Sequence, residues 1–252
     1  MSEVLEHDHE DVRLLMIEGV SKYNPFSFSL NKAIQEAFIK AANDQHIRAI
    51  ILTSGSGASL SVGADFNELK NFSTNEEVYN WIDEVVSLYT AILTIEKPTI
   101  VAFDGYAIGM GFQLSMMFDY RIMTEKSEFG MPELQHGIAC TLGATILEHV
   151  VGYNIMKEIV LGCNPIKSKY ALQTNLVNQV VKSEKLISEA LYIGKKFATY
   201  QDTPFSSTKR VMVKNLLKAI IEVTEETKII HSKCFSIKSA DKHFKNILKQ
   251  KY

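Results

Sequence analysis

Glu133 follows a proline in the stretch EFGMPELQHGI, residues 128–138, with Met131 and Leu134 close beside it. A carboxylate among apolar side chains holds its proton more tightly than one in water, which suits an acid or base working near neutral pH. The competing reading is a solvated loop carboxylate. His136, three residues on, is either its partner or a histidine satisfied by loop hydrogen bonds. Upstream, AIGMGFQ (107–113) sets two glycines around Met110 and then opens an apolar run whose first polar side chain is an amide, Gln113. An amide in such surroundings must find partners or cost free energy, and a helix-terminus hydrogen bond would satisfy it. It does not exchange protons at neutral pH, so a Gln–Glu pair offers different chemistry from two carboxylates.

Two glycine-bearing loops each follow an expected strand: GSGASLSVGAD (55–65) after RAIILTS, and DGYAIGMG (104–111) after PTIVAF. Ligands of open parallel sheets sit beyond the carboxyl ends of the strands, where both loops fall. Neither loop has dinucleotide or P-loop glycine spacing. Their glycines either shape tight turns or leave backbone N–H groups facing a ligand, with the positive end of a helix opening near Gly111 behind them. Two amides converging on one oxygen would stabilise an enolate. Trp81, the single tryptophan, reads equally as core or as a pocket wall. His231, in KIIHSKCF (228–235), reads on its own as a packing or surface residue of an amphipathic helix. Cys140, Cys163 and Cys234 are odd in number and far apart, which fits reduced packing residues better than a disulfide framework or zinc site.

The elements that must position these groups alternate along most of the chain. DVRLLMIEG, LNKAIQEAFIKAAND and IRAIILTSG read as strand, helix and strand. A long helix is expected from Asn75 to Leu93, and Pro98 suits the start of the short strand PTIVAF. Alternation of this kind predicts a largely parallel α/β sheet with crossover helices. From about Ser183 the periodicity becomes helical, so residues 1–182 form an α/β core and 183–252 a helical region of the same unit, suited to a subunit contact. With 252 residues, 46% of them hydrophobic, the chain can bury a sizeable core. Its 27 basic and 29 acidic residues create no global field for nucleic acid or anionic membrane. The acidic N-terminus lacks the pattern of a signal peptide and no apolar run reaches a membrane span of about 18 residues, so a cytoplasmic protein is expected.

Taken together, SVGADF, KPTIVAFDGYAIGMG, FDYRIMTEKSEFGMPELQHGI and LVNQVV resemble the crotonase (enoyl-CoA hydratase/isomerase) superfamily, in order and over nearly the whole chain. Within it, KYNPFS, EEVYNWIDEVVSLY, GYAIGMGFQ, MPELQHGIAC and the terminal HFKNILKQKY are most similar to the carboxymethylproline synthases of carbapenem biosynthesis. The superfamily resemblance implies a spiral of ββα units, a helical C-terminal region that forms trimers or dimers of trimers, and a coenzyme A thioester as substrate. It implies an oxyanion hole from the backbone N–H groups of Ala64 and Met110. Hydratases of the superfamily carry glutamates at both positions matching Gln113 and Glu133, so simple hydratase activity is not expected here.

The synthase resemblance implies that malonyl-CoA loses carbon dioxide to give an enolate, which adds to pyrroline-5-carboxylate, in equilibrium with glutamate semialdehyde. The thioester is then hydrolysed, with Glu133 handling the water. No permanent cofactor and no metal are implied. His231 is placed near the imino acid's carboxylate and Trp81 in the pocket wall, while Lys22 is either a ligand of the coenzyme A phosphates or a solvated surface lysine. Ala64, where some synthases have glycine, and Leu60, where the superfamily commonly has phenylalanine, leave the backbone amides in place and bear on substrate preference. Two alternatives keep their place: a single-carboxylate enoyl-CoA isomerase, hydrolase or decarboxylase, and a catalytically silent crotonase-like binding protein.

Overall fold

A computed structural model describes residues 3–19, 21–55 and 57–236; the terminal HFKNILKQKY lies outside them. Strands β1 (Glu3–His9) and β2 (Val12–Glu18) form an antiparallel hairpin turned at Glu10, whose φ is 62°. Helix α1 (Phe28–Asn43) is capped by the Ser27 side chain, which accepts from the Leu30 N–H, and leads to β3 (Ala49–Thr53) parallel to β2. This is the strand, helix, strand unit expected from the periodicity. The preceding β1 was hidden by its acidic composition, which an edge strand tolerates because one side faces water.

After β4 (Ser59–Ser61) and the single turn α2 (Phe66–Leu69) comes α3, Asn75–Leu93, with the bounds its spacing predicts. Thr74 and Glu77 close a reciprocal capping box at its start, and Val78, Trp81, Ile82, Val85, Leu88, Tyr89 and Ile92 form its buried stripe. Strand β5 runs from Thr99 to Ile108, well past the short strand PTIVAF, so half of the expected glycine loop is strand. Its first half pairs in parallel with β3 and with β6 (Tyr120–Thr124); its second half pairs with β4 and with β7 (Glu128–Gly130). One strand thereby joins two sheet regions. Helix α4 (Met110–Ser115) opens directly from its end.

A 3₁₀ turn at Glu133–His136 precedes α5 (Thr141–Val151), α6 (Tyr153–Gly162), β8 (Ile166–Lys167), α7 (Ser168–Gln173) and β9 (Gln179–Val181), the last parallel to β6. Helices α8 (Leu186–Ala198) and α9 (Asp202–Ser236) end the described chain, as the change of periodicity near Ser183 implied. They do different work. Leu186, Ala190, Ile193 and Ala198 of α8 join Val12, Ile51, Ile100 and Ile122 in a core on one face of the sheet, so α8 is an integral layer. The larger core on the other face brings together α1, α3, α4 and α5, and Ile220 of α9 is buried in it. Among the described residues no helix is long and apolar enough to cross a membrane.

Candidate active site

The carboxyl ends of β4, β5 and β7 converge, and the two glycine loops meet there. Gly63 adopts φ +98° and Gly109 φ +52°, conformations open to glycine at little cost. A Cβ on Gly63 would stand 3.2 Å from the Ile108 carbonyl and 3.9 Å from the Met110 nitrogen, so the loops are in contact. Gly109 donates to the Gly130 carbonyl at 2.8 Å, tying the second loop to β7. Among the hydrogen bonds of the described residues, none is donated by the backbone N–H of Ala64 or Met110. Met110 is the first residue of α4, where such donors have no partner within the helix.

These loops border a cavity of about 330 Å³ whose walls include Ala64, Met110, Gln113, Glu133, Trp81 and His231. Six of the seven residues expected at the site therefore share one space. The seventh, Lys22, is exposed beside it; its Nζ lies 5.2 Å from the ring centre of Tyr23, which does line the cavity. Trp81 and His231 pack edge to face at 6.0 Å, with the His231 Nδ1 2.9 Å from the Thr227 carbonyl. Burial lowers the His231 pKa, against backbone contacts to Thr227 and Ala139 that raise it.

Gln113 is buried and its amide is fully engaged. Its Nε2 donates to Glu133 Oε1 at 2.9 Å and approaches Met131 Sδ at 3.7 Å, while its Oε1 accepts from the Tyr89 hydroxyl at 3.3 Å. Glu133 is half-buried as a residue, with its carboxylate the enclosed part: Oε2 is buried and has no hydrogen-bond partner. Burial raises its pKa from 4.5 to about 7, only partly opposed by its own backbone N–H and by Gln113. An unpartnered buried carboxylate oxygen is costly, and such groups concentrate where a ligand or water is handled. The site thus sets a near-neutral carboxyl in the same cavity wall as two unpaired N–H donors and the imidazoles of His136 and His231. Among the described residues no group of three His, Cys, Asp or Glu side chains is placed to hold a metal ion.

Two contributors, Tyr89 and Gly143, went unnoticed in the residue pattern, and a third, Cys140, was read only as packing. Tyr89 lies behind the wall, with its hydroxyl 3.3 Å from both Gln113 Oε1 and the Met110 carbonyl. Cys140 is a buried, reduced packing residue as expected, and it also lines the cavity, its thiol pushed up by burial. Gly143 leaves room for the amide: a Cβ there would stand 2.6 Å from Cys140 Sγ and 3.1 Å from Gln113 Nε2. The spacing of Trp81, Val85 and Tyr89 along one helical stripe was the available signal for the first.

Residues 9–250 match the family model for enoyl-CoA hydratase/isomerase. A carboxymethylproline synthase of Pectobacterium carotovorum subsp. carotovorum is 40% identical over 249 residues, covering 99% of this chain and all of that protein. Among solved structures, ThnE from S. clavuligerus superposes with a TM-score of 0.78 at 29% identity, covering 90% of this chain and 100% of the other. An enoyl-CoA hydratase from Bacillus halodurans reaches a TM-score of 0.88 at 21% identity, over 97% of this chain and 100% of that one, and shares the fold. The chain belongs to the enoyl-CoA hydratase/isomerase family.

Proposed function

We propose that this chain is a carboxymethylproline synthase that joins malonyl-CoA to pyrroline-5-carboxylate and hydrolyses the thioester. The observation that carries the reading is the pairing of one buried carboxylate, Glu133, with an amide, Gln113, at 2.9 Å. Full-length similarity to a protein named for this activity supports it. Family members act on coenzyme A thioesters as substrates, and the cavity wall is apolar enough to take an acyl chain.

In this scheme the thioester oxygen sits between the N–H groups of Ala64 and Met110. The bond to the departing carboxylate breaks, carbon dioxide leaves, and the electron pair remains as an enolate stabilised by those donors. No base is needed for that step. The enolate carbon attacks the C=N carbon of pyrroline-5-carboxylate, whose nitrogen keeps or gains a proton, and the imino acid's carboxylate lies toward His231 beside Trp81. Water then adds to the thioester carbonyl as Glu133 accepts its proton, the same two N–H groups hold the tetrahedral oxyanion, and coenzyme A leaves as its thiol. Malonyl-CoA, water and pyrroline-5-carboxylate thus give carboxymethylproline, coenzyme A and carbon dioxide.

The amide fits a substrate that brings its own carboxylate. A second glutamate at 113 would repel it by about 1–4 kcal/mol at roughly 4 Å in water or near a protein surface. In the structure the stronger N–H bond of Gln113 goes to Glu133, so the N–H resting against Met131 Sδ, a weak acceptor, is the one that substrate can recruit. Lys22 serves the coenzyme A phosphates from outside the cavity, and the exposed apolar face of α9 serves a homotrimer.

Purified protein incubated with malonyl-CoA and glutamate semialdehyde should release carboxymethylproline, identified by mass. Absence of that product alongside efficient crotonyl-CoA hydration would sink the reading. The near-neutral pKa of Glu133 also suits a lone base in enoyl-CoA isomerisation. Glu133→Ala separates the two: decarboxylation survives it in a synthase, whereas an isomerase loses all turnover.

A further inference from the structure

We propose that Tyr89 is a positioning residue for this site: its hydroxyl, by donating to Gln113 Oε1, fixes the amide so that its N–H end and not its carbonyl faces Glu133. The inference rests on the reading of Glu133 as the working carboxylate. The two ends of a glutamine amide have nearly the same shape, and neighbouring partners decide which way it points. Here the Tyr89 oxygen is 3.3 Å from Gln113 Oε1 and 3.3 Å from the Met110 carbonyl. Both are acceptors, so the phenol is the donor that they share.

Reversing the amide defines the competing state. Nε2 would then donate to the phenol oxygen, the phenol proton would pass wholly to the Met110 carbonyl, and Gln113 Oε1 would face Glu133. A carbonyl in that place can hold only the protonated acid. The site is therefore a two-state element in which amide direction and Glu133 protonation move together, and a proton from Tyr89 to Oε1 selects the ionised carboxylate. The same hydroxyl touches the carbonyl of Met110, whose N–H is one of the two unpaired donors, so it braces both halves of the site.

Helix α3 delivers this group by its period: Trp81, Ile82 and Val85 reach the cavity wall, and fully buried Tyr89 comes one turn later. The other titratable groups around the cavity are Cys140 before α5, His136 on the turn of Glu133, His231 from α9, Tyr106 from β5 and Tyr23 before α1. Burial pushes both Tyr89 and Cys140 up and so keeps them neutral. No Lys, Arg or Asp lines the cavity among the described residues, which leaves hydrogen bonding as the main means of favouring the charged form.

The titration of Glu133 can be read without turnover, by carbon NMR of protein labelled at the glutamate carboxyl carbon, the signal being assigned by its loss in Glu133→Gln. Tyr89→Phe should raise the midpoint by about half a pH unit, in proportion to one neutral hydrogen bond felt through the amide. Replacing Tyr89 by 3-fluorotyrosine, a stronger donor of nearly the same shape, should lower it. Because no substrate is present, failure of the proposed reaction and failure of this inference are distinguishable. In kinetics, the acid limb of kcat should move with the midpoint, whereas a merely loosened core would lower the plateau and leave the limb in place. An unmoved midpoint in folded Tyr89→Phe, or in the fluorotyrosine protein should the phenylalanine variant not fold, overturns the proposal.

Discussion

Burial of Glu133 has a thermodynamic consequence that can be measured apart from catalysis. Its pKa is about 7 in the folded protein against an ordinary 4.5. A folded-state pKa above the unfolded one means that the unfolded chain releases the proton first. The penalty is therefore absent below about 4.5, grows as pH rises toward 7 and is constant above, where it approaches about 3 kcal/mol by linkage. Glu133→Gln removes the titration, so its stability relative to the parent should rise between pH 5 and pH 8 by up to about 3 kcal/mol in urea unfolding. A gap between the two proteins that does not change with pH would show that the carboxyl is not so enclosed. Gln113→Glu sets a second carboxyl where the amide now donates at 2.9 Å. The two acids must share a proton, and the net negative charge should raise the Kd of malonyl-CoA about tenfold or more, readable by calorimetry with a non-reacting malonyl thioester analogue. Unchanged binding would mean that the amide serves Glu133 alone.

At the scale of elements, the site depends on how closely α4 lies against β4. A Cβ added to Gly111 would stand 2.8 Å from the Ser61 carbonyl oxygen and 2.9 Å from Ser61 Cβ. Neither can swing aside, so Gly111→Ala must displace the first turn of α4 and with it the Met110 N–H. The expected cost is about 1–3 kcal/mol of stability and about a hundredfold in kcat/KM, since a catalytic group misplaced by about 1 Å costs that much. A folded variant with near-parent activity would place the developing oxyanion elsewhere. This contact also marks what the sequence could disclose. The bounds of α3 were legible from its helical run of apolar residues, and Gln113 and Glu133 stood out as polar groups in apolar runs. The engagement of Gln113 by Tyr89 and Glu133 was not legible, because it arises where α3, α4 and the 133–136 turn meet and no local period encodes a contact between them. β1 escaped notice for a related reason: its charged residues suit an edge strand, and only pairing with β2 makes them one.

For the whole molecule, α9 is the element whose two faces ask for different surroundings. Inwardly it is anchored by Lys209, buried and 2.6 Å from Asp119, and by Thr227, 2.8 Å from Thr141 at the edge of the cavity. Outwardly it exposes Val211 at 75% and Met212 at 72%, with Ile221 and Ile229 about half open. Single apolar side chains are normal on a protein surface, but four large ones along one helix are what a subunit contact would bury. The homotrimer proposed for this chain would cover them, and since the same helix carries His231 into the cavity, assembly and substrate geometry would be coupled through one rigid rod. Sedimentation of the parent should then give three times the protomer mass. Val211→Asp together with Met212→Lys should give a protomer that keeps its helical content yet loses affinity for the imino acid more than for malonyl-CoA, because the N–H groups of Ala64 and Met110 lie on the α/β core while His231 lies on α9. A double variant that still sediments as a trimer would place the interface on another face.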